Sequence, residues 1–324
     1  VEVALYFSDL RRLLDLERVL QRVEFRELPA NLFELVFEDT NSAEYLVHLK
    51  TLECMDQFGT LQTPPSRLYF GQEFCENLIP AAADVVQACY VARQLGWNFT
   101  YVTGALTTAG LAAVRRNLDR LAATTDEFEV VVNDWGLLSV LRREFPTAQV
   151  ALGRLQLKQK RLGFYTPESV PVNMTGIATA EDRIRANQLG VLRGLNLGLL
   201  EYRNLLSDYG VRRVDLDVVP QGIDVPQDKW GMGLGFYFPW AYLAGGRNCL
   251  TASVTDPQRA RVVLDSPCSR PCRSLNQTSV TKSFPQTTLQ RGNSVFILRV
   301  EAAAAYMQED SRFDRVVIEP YLPI

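Results

Sequence analysis

From residue 67 onward, short apolar segments alternate with segments of helical period, and that alternation restricts the fold more than any other feature of the chain. Residues 67–71, 98–103, 128–132 and 149–152 read as strands, with 78–95, 107–123 and 137–145 as the helices between them. Strands joined by helices of about 10–15 residues specify βαβ units and a parallel sheet. The punctuation agrees. Gly96 stands where the first of these helices must end, and Thr107 or Thr108 stands where the second must begin. Further on, 179–210 is the clearest helix, opened by Thr179 and Asp182 as a capping box and closed at Gly210. Strands follow at 211–219, 294–300 and 315–319, with a helix at 302–308, while 153–178 and 220–248 read as long loops. The succession fits an α/β, TIM-barrel-like fold, an irregular β/α barrel over 67–324. In such barrels the sites gather at the C-terminal ends of the strands.

Residues 1–66 read separately, as a small α+β N-terminal extension. It has a helical pattern at 10–23, a short strand at 32–37, a second helix at 42–55 carrying His48 and Cys54, and a Pro-containing linker at 62–66. The 324 residues are 47% hydrophobic and 22% charged, enough for a packed core. A formal charge of -3 without long runs of one sign argues against nonspecific nucleic-acid binding. No apolar run is long enough to span a bilayer and no secretory pattern is found, so a reduced, cytoplasmic protein is expected.

The cysteines are distributed unevenly. Cys249, Cys268 and Cys272 form a C-x18-C-x3-C run, with Gly245 and Gly246 ahead of it and Pro267 and Pro271 preceding the close pair. Such punctuation marks irregular backbone, from which thiolates can converge on one point. Cys89 falls mid-helix and reads as core. A single histidine, His48, excludes zinc sites built on two or three histidines and H-E-x-x-H chemistry. Four thiolates would suit either an all-cysteine zinc site or an iron–sulfur cluster. Structural zinc commonly draws on two close cysteine pairs, and here there is one.

Three stretches together resemble a known family. Leu68-Tyr69-Phe70-Gly71-x3-Cys75, Val132-Asn133-Asp134-Trp135-Gly136 and Arg247-x-Cys249 with Cys268-x3-Cys272 are similar to motifs of the collagenase-like peptidase family U-thirty-two, and within it to the UbiU/UbiV-type ubiquinone-biosynthesis proteins. The likeness covers roughly residues 67–320. It implies a TIM-barrel-like fold and a [4Fe-4S] cluster, with Cys75, Cys249, Cys268 and Cys272 as ligands and zinc as the alternative metal. It also implies an oxygen-independent hydroxylase, or a subunit of one, acting on an aromatic quinone precursor with prephenate as oxygen donor. Those relatives work with a homologous subunit as a heterodimer, so a heterodimer or homo-oligomer is expected. Other members hydroxylate a tRNA base, which keeps nucleic acid open as a partner, and others are peptidases. This chain departs from the pattern in its first 66 residues, in Trp135 where Leu is usual, and in a longer gap between Cys249 and Cys268.

Other candidates surround these motifs. Asp134 reads either as an acid/base at a strand end or as the N-cap of the helix that follows. Asn133, Trp240 and Arg247 are candidate substrate contacts, Trp240 as part of an aromatic-rich stretch before Cys249. Arg247 and Arg270 lie close to thiols in sequence, where a cation would raise a cluster's potential if it is not simply a solvated loop charge. A peptidase remains the alternative enzyme and a non-catalytic iron–sulfur scaffold subunit the alternative role. With one histidine no familiar hydrolytic triad assembles.

Overall fold

The computed structural model describes residues 1–20, 63–161, 178–256, 268–273, 276–281, 284–298, 312–322 and 324. Eight strands close a wholly parallel barrel: β1 (Glu2–Phe7), β2 (Arg67–Gly71), β3 (Asn98–Val102), β4 (Glu129–Val132), β5 (Gln149–Leu152), β6 (Val211–Asp217), β7 (Gly233–Phe238) and β12 (Arg315–Ile318). Closure is made by β12, which pairs with β7 on one side and β1 on the other. The helices are α1 (Leu10–Leu20), α2 (Ala82–Gln94), α3 (Thr108–Ala122), α4 (Trp135–Glu144), α5 (Ala178–Arg193), α6 (Leu200–Asp208) and the short α7 (Leu250–Thr255).

Alternation along each strand explains the packing. One set of residues (among them Val3, Leu68, Phe70, Val130, Leu216 and Phe236) faces out into the core shared with the helices. The other set fills the barrel. Its middle is apolar, with Ala4, Tyr69, Val102, Val131, Ala151 and Val317 in contact. Both faces of every strand are therefore covered, as parallel sheets require. Below this layer, at the N-terminal end, Arg315 binds Glu2 at 2.6 Å and Glu129 at 2.6 Å, while Arg67 binds Glu2 at 2.8 Å. Glycine makes room for such large polar groups: a Cβ at Gly235 would lie 2.4 Å from the Asp215 carboxylate.

Helix ends follow local chemistry. Thr107 caps α3 by accepting from the Gly110 N–H, and Gly96, at φ 71°, follows the end of α2. The segment expected as one helix over 179–210 is two, α5 and α6, separated by a 3-10 turn at Asn196–Gly198. Gly194 and Gly198 supply the break.

A second, antiparallel sheet packs on the C-terminal face, in the order β8 (Trp240–Gly245), β11 (Ser294–Leu298), β10 (Phe284–Arg291), β9 (Asn276–Thr281). Its core joins Trp240, Leu289 and Phe296 to Phe74, which follows β2, and to Leu322 and Ile324, which follow β12. Two expectations are corrected here. Residues 220–248 are not loop throughout, since β7 and β8 lie within them. Nor does the barrel begin at residue 67: β1 pairs with β2 and β12, so the first strand of the expected N-terminal extension is part of the barrel. The expected strand at 32–37, the helices at 42–55 and 302–308, and most of the 153–178 loop lie outside the described residues.

Candidate functional site

The four thiols singled out in the sequence lie near enough for Cys249, Cys268 and Cys272 each to act on the charge of Cys75. Cys75 precedes a 3-10 turn at Glu76–Leu78 that extends the loop after β2. The Glu76 carboxylate anchors this loop by accepting from the Thr107 N–H at 2.8 Å. Cys249 caps α7, its sulfur accepting from the Ala252 N–H at 3.3 Å. Cys268 accepts from the Arg270 N–H at 3.4 Å, and Cys272 is buried in the 3-10 turn Pro271–Arg273. Burial pushes the Cys75 thiol up to about 11, and Cys272, Cys249 and Cys268 each push it further in the same direction. Burial also raises Cys272, again with Cys249 and Cys268 adding to the shift. Cys75 thus feels the charge of the other three, and Cys272 that of Cys249 and Cys268. Cys89 lies apart from them, in the core under α2.

This donor set bears on which metal would suit it. Among the described residues, no three His, Cys, Asp or Glu side chains are drawn close enough to hold a single metal ion. Tetrahedral zinc, with Zn–S bonds of about 2.3 Å, needs its sulfurs roughly 3.8 Å apart. A four-iron cluster spreads its ligands wider, because each thiolate binds a different iron. Soft thiolate donors suit zinc and an iron–sulfur cluster alike.

The other sequence candidates separate on inspection. Asp134 caps α4: one carboxylate oxygen accepts from the Leu137 N–H at 3.0 Å and the other from the Leu106 N–H at 3.2 Å. Asn133 is fully buried and donates to the Thr103 carbonyl at 2.8 Å and to Glu73 at 3.3 Å, while its oxygen accepts from the Leu155 N–H at 3.0 Å. Trp240 is fully buried, and its carbonyl accepts from Arg154 at 3.0 Å. Arg247 lines a cleft of about 140 Å³ together with Cys75, Phe74, Tyr242 and Asn293, and donates to the Leu106 carbonyl at 3.1 Å. Asn293 clamps the rim by donating to the Phe74 and Gly246 carbonyls, both at 2.7 Å.

Sequence reasoning missed the charged hub under this cleft. Arg154, just after β5, is wholly buried and binds Glu73 at 2.9 Å, Asp217 at 3.0 Å and Glu319 at 2.6 Å. Its guanidinium lies 3.8 Å from the centre of the Tyr237 ring. Burial raises Glu73 to about 7, with Arg154 only partly offsetting it, and raises Glu319 well above the usual carboxylate range. Burial thus holds Glu73 and Glu319 toward their neutral forms. Among the described residues, Glu319 Oε2, the Tyr237 hydroxyl and the Trp240 indole N–H have no hydrogen-bond partner. Each acid sits at or just beyond a strand's C-terminal end, which is the one signal the sequence offered.

No family model and no curated protein matches the sequence. Among solved structures, a glycoside hydrolase family 18 N-acetylglucosaminidase from Paenibacillus barengoltzii aligns over 98% of this chain and 94% of its own, at 10% identity and a TM-score of 0.31.

Proposed function

We propose that the chain binds a [4Fe-4S] cluster through Cys75, Cys249, Cys268 and Cys272 and acts as, or within, an oxygen-independent hydroxylase of aromatic, quinone-precursor-type substrates. What supports this reading is that Cys249, Cys268 and Cys272 lie near enough to Cys75, more than 170 residues upstream of the first of them, to act on its charge. With all four irons ligated by cysteine, the cluster supplies electron transfer rather than an open binding position. The protein's own residues do the rest. The Ala252 and Arg270 N–H groups donate to sulfur and stabilise the thiolate forms. Phe74 and Tyr242, with ring centres 5.2 Å apart, wall the adjoining cleft. Its volume of about 140 Å³ matches one aromatic ring, since cavities of about 150 Å³ take up benzene. Arg247 and Asn293 give that ring's polar substituents a cation and an amide to meet.

Under this proposal the protein works with a homologous subunit or as a homo-oligomer, in a reducing, cytoplasmic setting. No described helix is long and apolar enough to cross a membrane. The activity is tested by incubating anaerobically prepared protein, alone and with candidate homologous subunits, with aromatic acids and polyprenylated phenols. A product heavier by one oxygen atom, lost in Cys268→Ala, is expected. Cleavage of a collagen-like peptide, with no such product, would replace the hydroxylase reading with the peptidase one.

A further inference from the structure

A second cleft lies beyond the C-terminal ends of β1, β2 and β12, on the opposite side of the Cys75 loop from the first. It has a volume of about 90 Å³ and is lined by Arg11, Arg12, Arg273, Arg291, Asp9 and Ser8, among others. Four guanidinium side chains thus face one carboxylate side chain, that of Asp9. The carboxylate is already engaged: Arg11 forks onto Asp9 at 2.7 and 3.2 Å. Although burial works to raise the Asp9 pKa, the Arg11 bonds hold it below the usual range, and the charge of Arg273 adds to this.

The other groups are held in place from the wall. Arg12 lies 4.9 Å from the centre of the Tyr321 ring, and Arg291 donates to the Cys272 carbonyl at 2.9 Å. Gln72, only 2% exposed, also lines the cleft. Its carbonyl oxygen accepts from the Phe74 N–H at 3.0 Å, which leaves its NH2 group as a donor at the cleft wall.

We infer that this cleft binds the phosphate group of a small molecule. Guanidinium forks match the oxygens of a phosphate in pairs. A volume of about 90 Å³ admits one such group and excludes a whole ring system. Phosphate sites also recur at this face of β/α barrels, beside the last strands of the barrel. The inference does not rest on the cluster proposal, because no cysteine sulfur belongs to the cleft wall.

The test is calorimetric titration of the full chain with inorganic phosphate at low ionic strength, before and after iron loading, with acetate as the carboxylate comparison. One phosphate per chain is expected in both states, with acetate much weaker. Binding should weaken about tenfold in Arg12→Ala and stay unchanged in Arg212→Ala, which removes an exposed charge on β6. Absence of binding would overturn the inference, as would equal weakening in the two variants. Acetate binding as tightly as phosphate would overturn the assignment to phosphate.

Discussion

Two polar clusters share the C-terminal face of the barrel, and they are built in opposite ways. The hub around Arg154 satisfies its cation: every guanidinium nitrogen donates to a carboxylate or a carbonyl, and Arg154, Glu73, Asp217 and Glu319 are all sealed from solvent, with only Glu319 Oε2 among these four left without a partner among the described residues. The clasp of four thiols is incomplete. Its members repel one another as they ionise, and burial opposes ionisation at Cys75 and Cys272. A set of groups that satisfy each other stabilises the fold. The first cluster is read as architecture and the second, under the proposal above, as a site.

The largest expected effect comes from breaking the hub. Arg154→Ala leaves three buried carboxyls without their cation and should cost roughly 5 kcal/mol, seen as a large fall in urea midpoint or as loss of soluble protein. If the clasp is a site rather than architecture, Cys75→Ala in metal-free protein should cost no more than about 2 kcal/mol, since the thiol makes no essential bond there. The same variant should abolish the stabilisation that metal loading gives the parent chain, measured by thermal unfolding of both forms.

A pH experiment probes the ionic layer at the other end of the barrel. Burial raises Asp215 to about 6, with Arg315 and Arg213 opposing the shift, and its Oδ1 has no partner among the described residues. The folded state holds this proton more tightly than the unfolded chain. Stability should therefore fall as pH rises from about 4 through 6, by up to about 3 kcal/mol. Asp215→Asn should flatten that slope in urea titrations at pH 4.5 and 7.

Smaller effects separate capping from chemistry. Asp134→Ala should cost about 1 kcal/mol through the lost α4 cap and leave iron content unchanged. Arg247→Ala should change stability by less than about 0.5 kcal/mol. It should still weaken binding of an aromatic acid to the cleft, measured by fluorescence titration.

Much of the barrel was legible because its signals are local. β5 follows its apolar segment residue for residue, and Gly96, Thr107 and Asp134 mark helix ends as their side chains dictate. The failures have a common physical cause. β7 read as loop because Gly233 and Gly235 interrupt it, yet those glycines exist to clear Arg213 and Asp215 inside the barrel. β9 and β10 are polar segments whose pairing is decided by the sheet they join. Residues 1–66 were read as a separate unit, with no strand at 2–7, because more than fifty residues divide β1 from β2 and sequence distance hides pairing in a parallel sheet. The thiols drew the sequence reading because cysteine is rare and its spacing stands out. Arg154, Glu73, Asp217 and Glu319 were missed because common charged residues carry no such mark until the strands bring them together.

The most direct test of the account is iron and acid-labile sulfide analysis of anaerobically purified protein, with a visible spectrum, for the parent chain and Cys75→Ala. The account predicts close to four irons and four sulfides per parent chain, broad absorption near the iron–sulfur region, and loss of both in the variant. Stoichiometric zinc without sulfide, or a variant that keeps the parent's iron and spectrum, would contradict it.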